Sequence, residues 1–265
     1  MILLEAKNLV KRYSGRTVVD HVSITVHQGE IVGLLGRNGA GKTTTFRQIV
    51  GMIAPENGEI VFDGHDVTDM PMFKRARQGM GYLSQEPSIF QRLSVRDNLM
   101  AILETLPQTK AQRNDKCDEL LAQFGLEVQQ KQPARTLSGG ERRKLEIARA
   151  LVTNPTLVML DEPFSGVDPI AVEDLQQEIL KLRESGISIL LTDHNVRETL
   201  TVTDRSYIMD AGKVLREGQP RDLVNDDLVR KTYLGRTFRG DEFDVHLEDD
   251  HESRMGLGSA KPNQS

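Results

Sequence analysis

Polar and apolar positions alternate in two stretches at the start of the chain, Leu3–Val10 and Val18–Val26, with Lys11-Arg12-Tyr13-Ser14-Gly15-Arg16 between them. A period of two puts every second side chain on one face, which predicts a pair of antiparallel strands. The unbroken apolar run Ile31-Val32-Gly33-Leu34-Leu35 predicts a strand buried on both faces, and Thr44–Val50 the start of a helix. Glu59–Phe62 is expected to be a strand turning at Asp63-Gly64, followed by a short helix over Pro71–Gln78 and a strand over Met80–Ser84. From Glu86 to about Arg135 the texture is helical, with apolar residues at helical spacing in Val95–Leu106 and Ala111–Phe124, and a third helix over Gly140–Leu151. Strands and helices then alternate: strand Leu157–Leu160, helix Ile170–Arg183, strand Ile187–Leu191, helix Asn195–Val202. A hairpin of Arg205–Asp210 and Lys213–Glu217 turns at Ala211-Gly212, and short helices close the pattern at Pro220–Asn225 and Asp227–Tyr233. The fold class is α/β: a parallel core, an N-terminal antiparallel β subdomain and a helical insertion between residues 86 and 140.

Composition narrows this picture in three ways. The 265 residues suffice for one large α/β domain with a subdomain. No apolar stretch approaches the roughly 20 residues of a membrane helix, and the start alternates into a strand, so neither a span nor a secretory signal is expected. Cys117 is the only cysteine, which rules out an internal disulfide and fits a reducing cytoplasm. Charge is uneven. Residues 240–265 hold seven acids and two bases, the whole net charge of −5, so residues 1–239 are balanced. We expect the domain to span 1–239 and the acidic 240–265 segment to be a disordered tail, with His246 and His251 a weak metal site or, more simply, solvated. A balanced body argues against a nucleic-acid partner, and Arg142-Arg143-Lys144 is expected on a solvated helix face.

The candidate chemistry sits at strand ends. Gly36-Arg37-Asn38-Gly39-Ala40-Gly41-Lys42-Thr43 is a complete G-x-x-x-x-G-K-[ST] loop between the expected strand and helix, with Thr44 next. Its glycines let successive N–H groups point at a phosphate, and the helix N-terminus adds partial positive charge. Lys42 would reach the β- and γ-phosphates and the Thr43 hydroxyl would ligate Mg²⁺, so the loop predicts nucleotide binding. Leu157-Val158-Met159-Leu160-Asp161-Glu162 is an apolar strand ending in two acids. Asp161 would face the loop and hold Mg²⁺, while Glu162, one residue on, would orient or deprotonate the attacking water. In Leu137-Ser138-Gly139-Gly140-Glu141, Ser138 and Glu141 form a capping box. Two glycines in a first helical turn are costly, which suggests close approach to an anion and a second phosphate site.

Together, Lys42, Ser138-Gly139-Gly140, Asp161-Glu162 and His194 resemble the ATP-binding cassette (ABC) ATPases, over residues 3 to about 239. The resemblance implies a P-loop NTPase with a RecA-like core. It implies that Gln85 in Tyr82-Leu83-Ser84-Gln85 senses Mg²⁺ and water, that Tyr13 stacks on adenine, that Ser165-Gly166-Val167-Asp168 is the D-loop and that His194 contacts the γ-phosphate. It further implies a head-to-tail homodimer, each ATP sandwiched between one Lys42 loop and the other copy's Ser138 helix. Stretches such as Thr192–Leu200, Tyr82–Phe90 and Lys231–Gly235 are similar to the ATPase subunits of lipopolysaccharide export, which sit on the cytoplasmic face of the inner membrane and pair with two membrane subunits. Branched-chain amino-acid importer cassettes share much of the pattern, and cassettes of translation or DNA repair are a third class. The stretch where such subunits often carry proline has Ser84 here. Phe90, Leu93 and Val95, just after Gln85, would line a groove for a partner's short helix or else pack within the helical subdomain.

Overall fold

A computed structural model of the chain describes residues 1–86 and 88–235. The expected tail, with His246 and His251, lies outside the described residues. The opening strands β1 (Ile2–Tyr13) and β2 (Arg16–His27) pair antiparallel. Then come β3 (Ile31–Gly36), α1 (Lys42–Val50), β4 (Asn57–Phe62), the two-residue β5 (His65–Asp66), α2 (Met72–Arg77) and β6 (Met80–Leu83). The helical region holds α3 (Val95–Leu103), α4 (Lys110–Gln123) and α5 (Gly139–Leu151). After it come β7 (Leu157–Asp161), α6 (Pro169–Glu184), β8 (Ser188–Thr192), α7 (Val196–Val202), β9 (Arg205–Asp210), β10 (Lys213–Gly218), α8 (Pro220–Asn225) and α9 (Asp227–Val229). The expected last helix, Asp227–Tyr233, is instead α9 followed by a π turn over Arg230–Leu234.

Two sheets result. One has the order β2-β1-β4-β5 and is antiparallel; the other has the order β10-β9-β3-β8-β7-β6 and is parallel except for the β9–β10 hairpin. Alternation within the central strands divides the core in two. Val158, Leu160, Ile189 and Leu191 face α3–α6, packing with Leu99, Leu145, Leu175 and Ile179. Leu157, Met159, Leu190, Val32 and Leu34 face the other way, onto Phe46 and Ile49 of α1 and Ile24, Ile60 and Phe62 of the antiparallel sheet. The parallel sheet is therefore covered on both sides, as its continuous apolar strands require. No helix among the described residues is long and apolar enough to cross a membrane.

Val95 corrects one expectation. It is the first residue of α3, fully buried with Leu99 and Leu103 in the helical core, and takes no part in any surface. Its i, i+4, i+8 spacing with those leucines turns it inward.

Arg75 anchors the far end of α1. Its guanidinium is 1 % exposed and donates to the carbonyls of Gln48 and Ile49 in the last turn of α1, and to those of Thr68 and Met70. Burial lowers its pKa to about 10, which leaves it charged at neutral pH. A cation on helix C-terminal carbonyls gains from the macrodipole as well as from the hydrogen bonds. Arg75→Met is expected to cost roughly 3 kcal/mol in urea unfolding, since it orphans several buried carbonyls at once.

Candidate functional site

Strand register sets the site. Leu34 and Asp161 both pair with Thr192, and Leu83 pairs with Leu160, so β3, β8, β7 and β6 end at one level. The segments leaving those ends carry the Gly36–Thr43 loop, Asp193-His194, Asp161-Glu162 and Gln85 respectively. Chemistry collects at this carboxyl edge because each parallel strand must hand its chain to a crossover there.

The loop is wedged by its neighbours. Gly41 has φ +102, and a Cβ on it would lie 2.6 Å from the Val18 carbonyl oxygen; on Gly36 it would lie 2.3 Å from that of Met209. The Gly212 N–H donates to the Ala40 carbonyl at 3.0 Å, so the β9–β10 turn props the loop from below. Gly41 is also the N-cap of α1 and supplies no side-chain acceptor. The first-turn N–H groups of Lys42, Thr43 and Thr44 thus lack a side-chain cap, in contrast to those of α3, α4, α5 and α6. An anion can take that place. Lys42 is buried and folded onto its own loop, donating to Gly36 O at 2.7 Å and Arg37 O at 3.2 Å. Burial lowers its pKa, and Glu162, Asp193 and Asp161 oppose that. Arg37, Asn38 and Gly39 form the exposed crest.

Asp161 is 2 % exposed, and its carboxyl is pushed up to about 6 by burial and by the adjacent Glu162. One oxygen lies 3.4 Å from the Tyr82 hydroxyl; the other, Oδ1, is buried with no hydrogen-bond partner among the described residues. The buried Thr192 hydroxyl oxygen is unpartnered too. A buried carboxylate with a free oxygen fits a hard divalent cation, which would supply the missing partner and draw the proton off. Thr43, half-buried on the first turn of α1, and Gln85 are the other candidate ligands.

Glu162 leaves the strand with φ +49, a left-handed conformation that swings its side chain off the line of Asp161. Its N–H donates to Thr192 O at 2.7 Å. Gln85 Nε2 donates to Glu162 Oε2 at 2.9 Å, and His194 Nδ1 lies 3.2 Å from the same oxygen. Three residues distant in sequence therefore meet on one carboxylate beside the Lys42 loop. Asp193, fully buried, accepts from the N–H groups of Phe164 and Asn195, which ties the His194 turn to the chain after Glu162; burial pushes its carboxyl up.

At the start of α5, Ser138 Oγ accepts from Glu141 N–H at 3.2 Å and Glu141 Oε2 accepts from Ser138 N–H at 2.9 Å, the expected capping box. Gly139 is exposed, the nearest atom to a Cβ there being Gly166 O at 3.9 Å. Gly140 is explained differently from the sequence reading. It is buried, and a Cβ would come within 2.8 Å of Ala171 Cβ on α6, so helix packing alone demands glycine there. Tyr13 ends β1, 47 % exposed, with the Lys11 ammonium 5.7 Å from its ring centroid. Among the described residues, neither Tyr13 nor the Ser138-Gly139 pair hydrogen-bonds to the cluster around Lys42 and Glu162.

Arg143 overturns the reading of Arg142-Arg143-Lys144 as a solvated face. Its side chain is buried and binds backbone carbonyls around Asp161 and Glu162. The signal lies in the spacing: Gly140, Arg143, Ile147 and Leu151 form one helical stripe, and a charge on that stripe has to be buried. Asp193 also escapes the sequence reading, although it adjoins His194, and so does Tyr82, three residues before Gln85.

Three comparisons bear on this site. Residues 19–165 match the model of the family described as ABC transporter. Over 240 residues, 90 % of this chain and 100 % of the relative, the chain is 52 % identical to the lipopolysaccharide export system ATP-binding protein LptB of Haemophilus influenzae. Among solved structures it is similar to the ADP conformation of MJ1267, an ATP-binding cassette of an ABC transporter (TM-score 0.80, 28 % identity, 89 % of this chain and 100 % of that one). It is also similar to the dimeric structure of MJ0796, a bacterial ABC transporter cassette (TM-score 0.74, 25 % identity, 82 % and 99 %).

Proposed function

The chain belongs to the ABC transporter family as an ATP-hydrolysing subunit that uses ATP and Mg²⁺, and we propose that it is the motor for extraction of lipopolysaccharide from the inner membrane. The observation that carries this reading is the 52 % identity across nearly the whole chain to the export ATPase. Residues 1–239 would act as the cassette, peripheral on the cytoplasmic face of the membrane, and 240–265 as an appendage.

Each site residue then has a role. The first-turn N–H groups of α1 and the Lys42 ammonium hold the β- and γ-phosphates. Asp161, Thr43 and Gln85 hold Mg²⁺, which when bound neutralises phosphate charge. Glu162 accepts the proton of the attacking water, and His194 and Gln85 keep its carboxylate in place until nucleotide binds. Tyr13 gives the adenine a stacking face. Ser138 keeps its hydroxyl hydrogen free of the capping box, so it and the Gly139 N–H can meet the γ-phosphate on a second copy's Lys42 loop. The dimeric cassette of similar fold supports that pairing. ATP then favours the closed dimer, and hydrolysis releases it.

Force would leave through the groove of about 330 Å³ between α5 and the α1–β6 side, lined by Met52, Met72, Tyr82, Ile102, Glu146 and Arg149. Phe90 (44 % exposed) and Leu93 (37 %) stand exposed in the segment between Gln85 and α3. Buried Asn98 pins that segment by accepting from Phe90 N–H and donating to Phe90 O, and the Arg149 guanidinium covers the Phe90 ring at 4.5 Å. A short amphipathic helix of a membrane subunit suits such a groove. Phe90→Ala is expected to leave the fold intact and to cut recovery of membrane partners at least tenfold.

Tagged full-length chain, recovered from gently solubilised native membranes, tests the whole reading by mass spectrometry of what comes with it. Two membrane subunits together with lipopolysaccharide are expected. Amino-acid permease subunits, or ribosomes or DNA with no membrane protein, would refute the export reading.

A further inference from the structure

We infer that Arg143 is a positioning residue for hydrolysis: it locks the turn bearing Glu162 and the segment bearing Gln85 to α5, whose N-terminus carries Ser138 and Gly139. The inference rests on the roles given above to Glu162 and Gln85.

The guanidinium spends every arm of its fork on this junction. Nε donates to Pro163 O at 3.3 Å. Nη2 donates to Asp161 O at 3.2 Å and Glu162 O at 3.3 Å. Nη1 donates to Ser84 O at 3.1 Å, one residue before Gln85, and to Glu146 Oε2 at 2.8 Å. One planar cation therefore grips the carbonyls on both sides of Glu162 and the approach to Gln85 at once. A carbonyl is gripped only where its peptide plane faces the donor, so the contacts fix backbone orientation as well as distance. That orientation matters most at Glu162, held at φ +49 against the ordinary preference of its residue type.

Further along α5 the same segment is held again. Glu146 Oε1 accepts from Ser88 N–H at 2.9 Å, and the Arg149 guanidinium donates to Ser88 O. Residues at i, i+3 and i+6 of one helix thus hold the chain on both sides of Gln85. Glu146 and Arg149 also line the proposed docking groove. Movement of α5 would carry the Gln85 segment and the Glu162 turn with it. In a head-to-tail dimer the Ser138 end of that helix touches the other copy's nucleotide. Arg143 is where one site's hydrolytic carboxylate joins the helix that reads the other site.

A buried ion pair also invites a purely structural role, since Arg143 and Glu146 are 8 % and 4 % exposed in their side chains. The two roles separate in the double variant Arg143→Met/Glu146→Leu, which removes both buried charges together. Such replacements of a buried pair are often neutral for stability. Arg143→Lys is the second probe: it keeps the charge opposite Glu146 and loses the fork. With full-length chain we expect Arg143→Lys to keep a melting temperature within a few degrees of the parent, and the double variant to fold but melt lower, because four backbone carbonyls lose their donor. Steady-state hydrolysis should show kcat at least tenfold lower and KM for ATP within threefold. Fluorescent-ATP binding should likewise stay within threefold. Recovery of kcat to within threefold of the parent in either folded variant overturns the inference, as does a tenfold loss of ATP binding. If the double variant fails to fold, the Arg143→Lys result alone decides. Glu162→Gln is run alongside. Should it retain turnover, the assignment of Glu162 falls; if it is inactive while both Arg143 variants turn over normally, only the positioning role falls.

Discussion

Glu162→Gln is expected to lower kcat for ATP at least a hundredfold while leaving ATP affinity within about threefold. The two side chains have nearly the same shape, and the introduced amide oxygen could still accept from Gln85 Nε2, which lies 2.9 Å from the carboxylate in the parent. The backbone hydrogen bond to Thr192 O and the left-handed turn at this position do not involve the side chain. What is lost is the ability to take a proton from water. Phosphate release under saturating ATP and Mg²⁺, with fluorescent-ATP binding in parallel, measures both halves. More than a tenth of the parent kcat in the variant would show that another group activates the water.

Asp161→Asn is expected to be both dead and more stable. Burial holds the Asp161 carboxyl at about 6, against 3.8 ordinarily, so the folded chain binds this proton more tightly than the unfolded chain does. The group's contribution to stability is therefore full below about pH 4 and is lost as pH rises through about 6. At pH 7.5 the ionised, 2 % exposed carboxylate costs the ligand-free fold on the order of 3 kcal/mol. Asparagine removes that cost, keeps an acceptor for Tyr82 and forfeits the anionic oxygen that suits Mg²⁺. A melting temperature several degrees above the parent at pH 7.5, little difference at pH 4, and a hundredfold loss of Mg²⁺-dependent hydrolysis are expected. In the parent, the apparent affinity for Mg²⁺ should fall as pH drops below about 6, where the metal-free Asp161 takes up a proton that competes with the cation. Equal or lower stability of the variant at pH 7.5 would mean that the buried charge is already compensated. The site is thus held at some expense to the fold, as is common where a cation has to be bound.

How far the sequence reveals this depends on the range of the interaction. The β3–loop–α1 unit is local: an apolar run, glycines at fixed offsets and a helix start lie within 20 consecutive residues, from Ile31 to Val50. Asp161 and Glu162 are equally legible, as polar residues closing an apolar strand. The capping box of Ser138 and Glu141 needs only four residues. The order of strands is not local. Nothing in the period of β8 says that β3 and β7 flank it, although that order brings His194 to Glu162 and both to the Lys42 loop. Resemblance to a family, and not periodicity, points to Gln85 and His194. Arg143 is hidden because a run of three bases looks solvated when counted as charge, and only its place on the stripe with Gly140 and Ile147 betrays burial. Val95 fails in the opposite sense: its sequence position beside Phe90 and Leu93 suggests surface, while its helical phase buries it. The glycine pair shows both cases in adjacent residues, Gly139 open and Gly140 filled by Ala171.

The mass of the Glu162→Gln chain in solution, measured by light scattering with and without ATP and Mg²⁺, tests the central claim most directly. That claim is that the Lys42 loop of one copy and the Ser138 helix of another close on one nucleotide. A shift from the 29.7 kDa chain to twice that mass on adding ATP and Mg²⁺, reversed by Ser138→Arg, is the expected result. A chain that binds ATP yet stays monomeric, alone and with its membrane partners present, would contradict it.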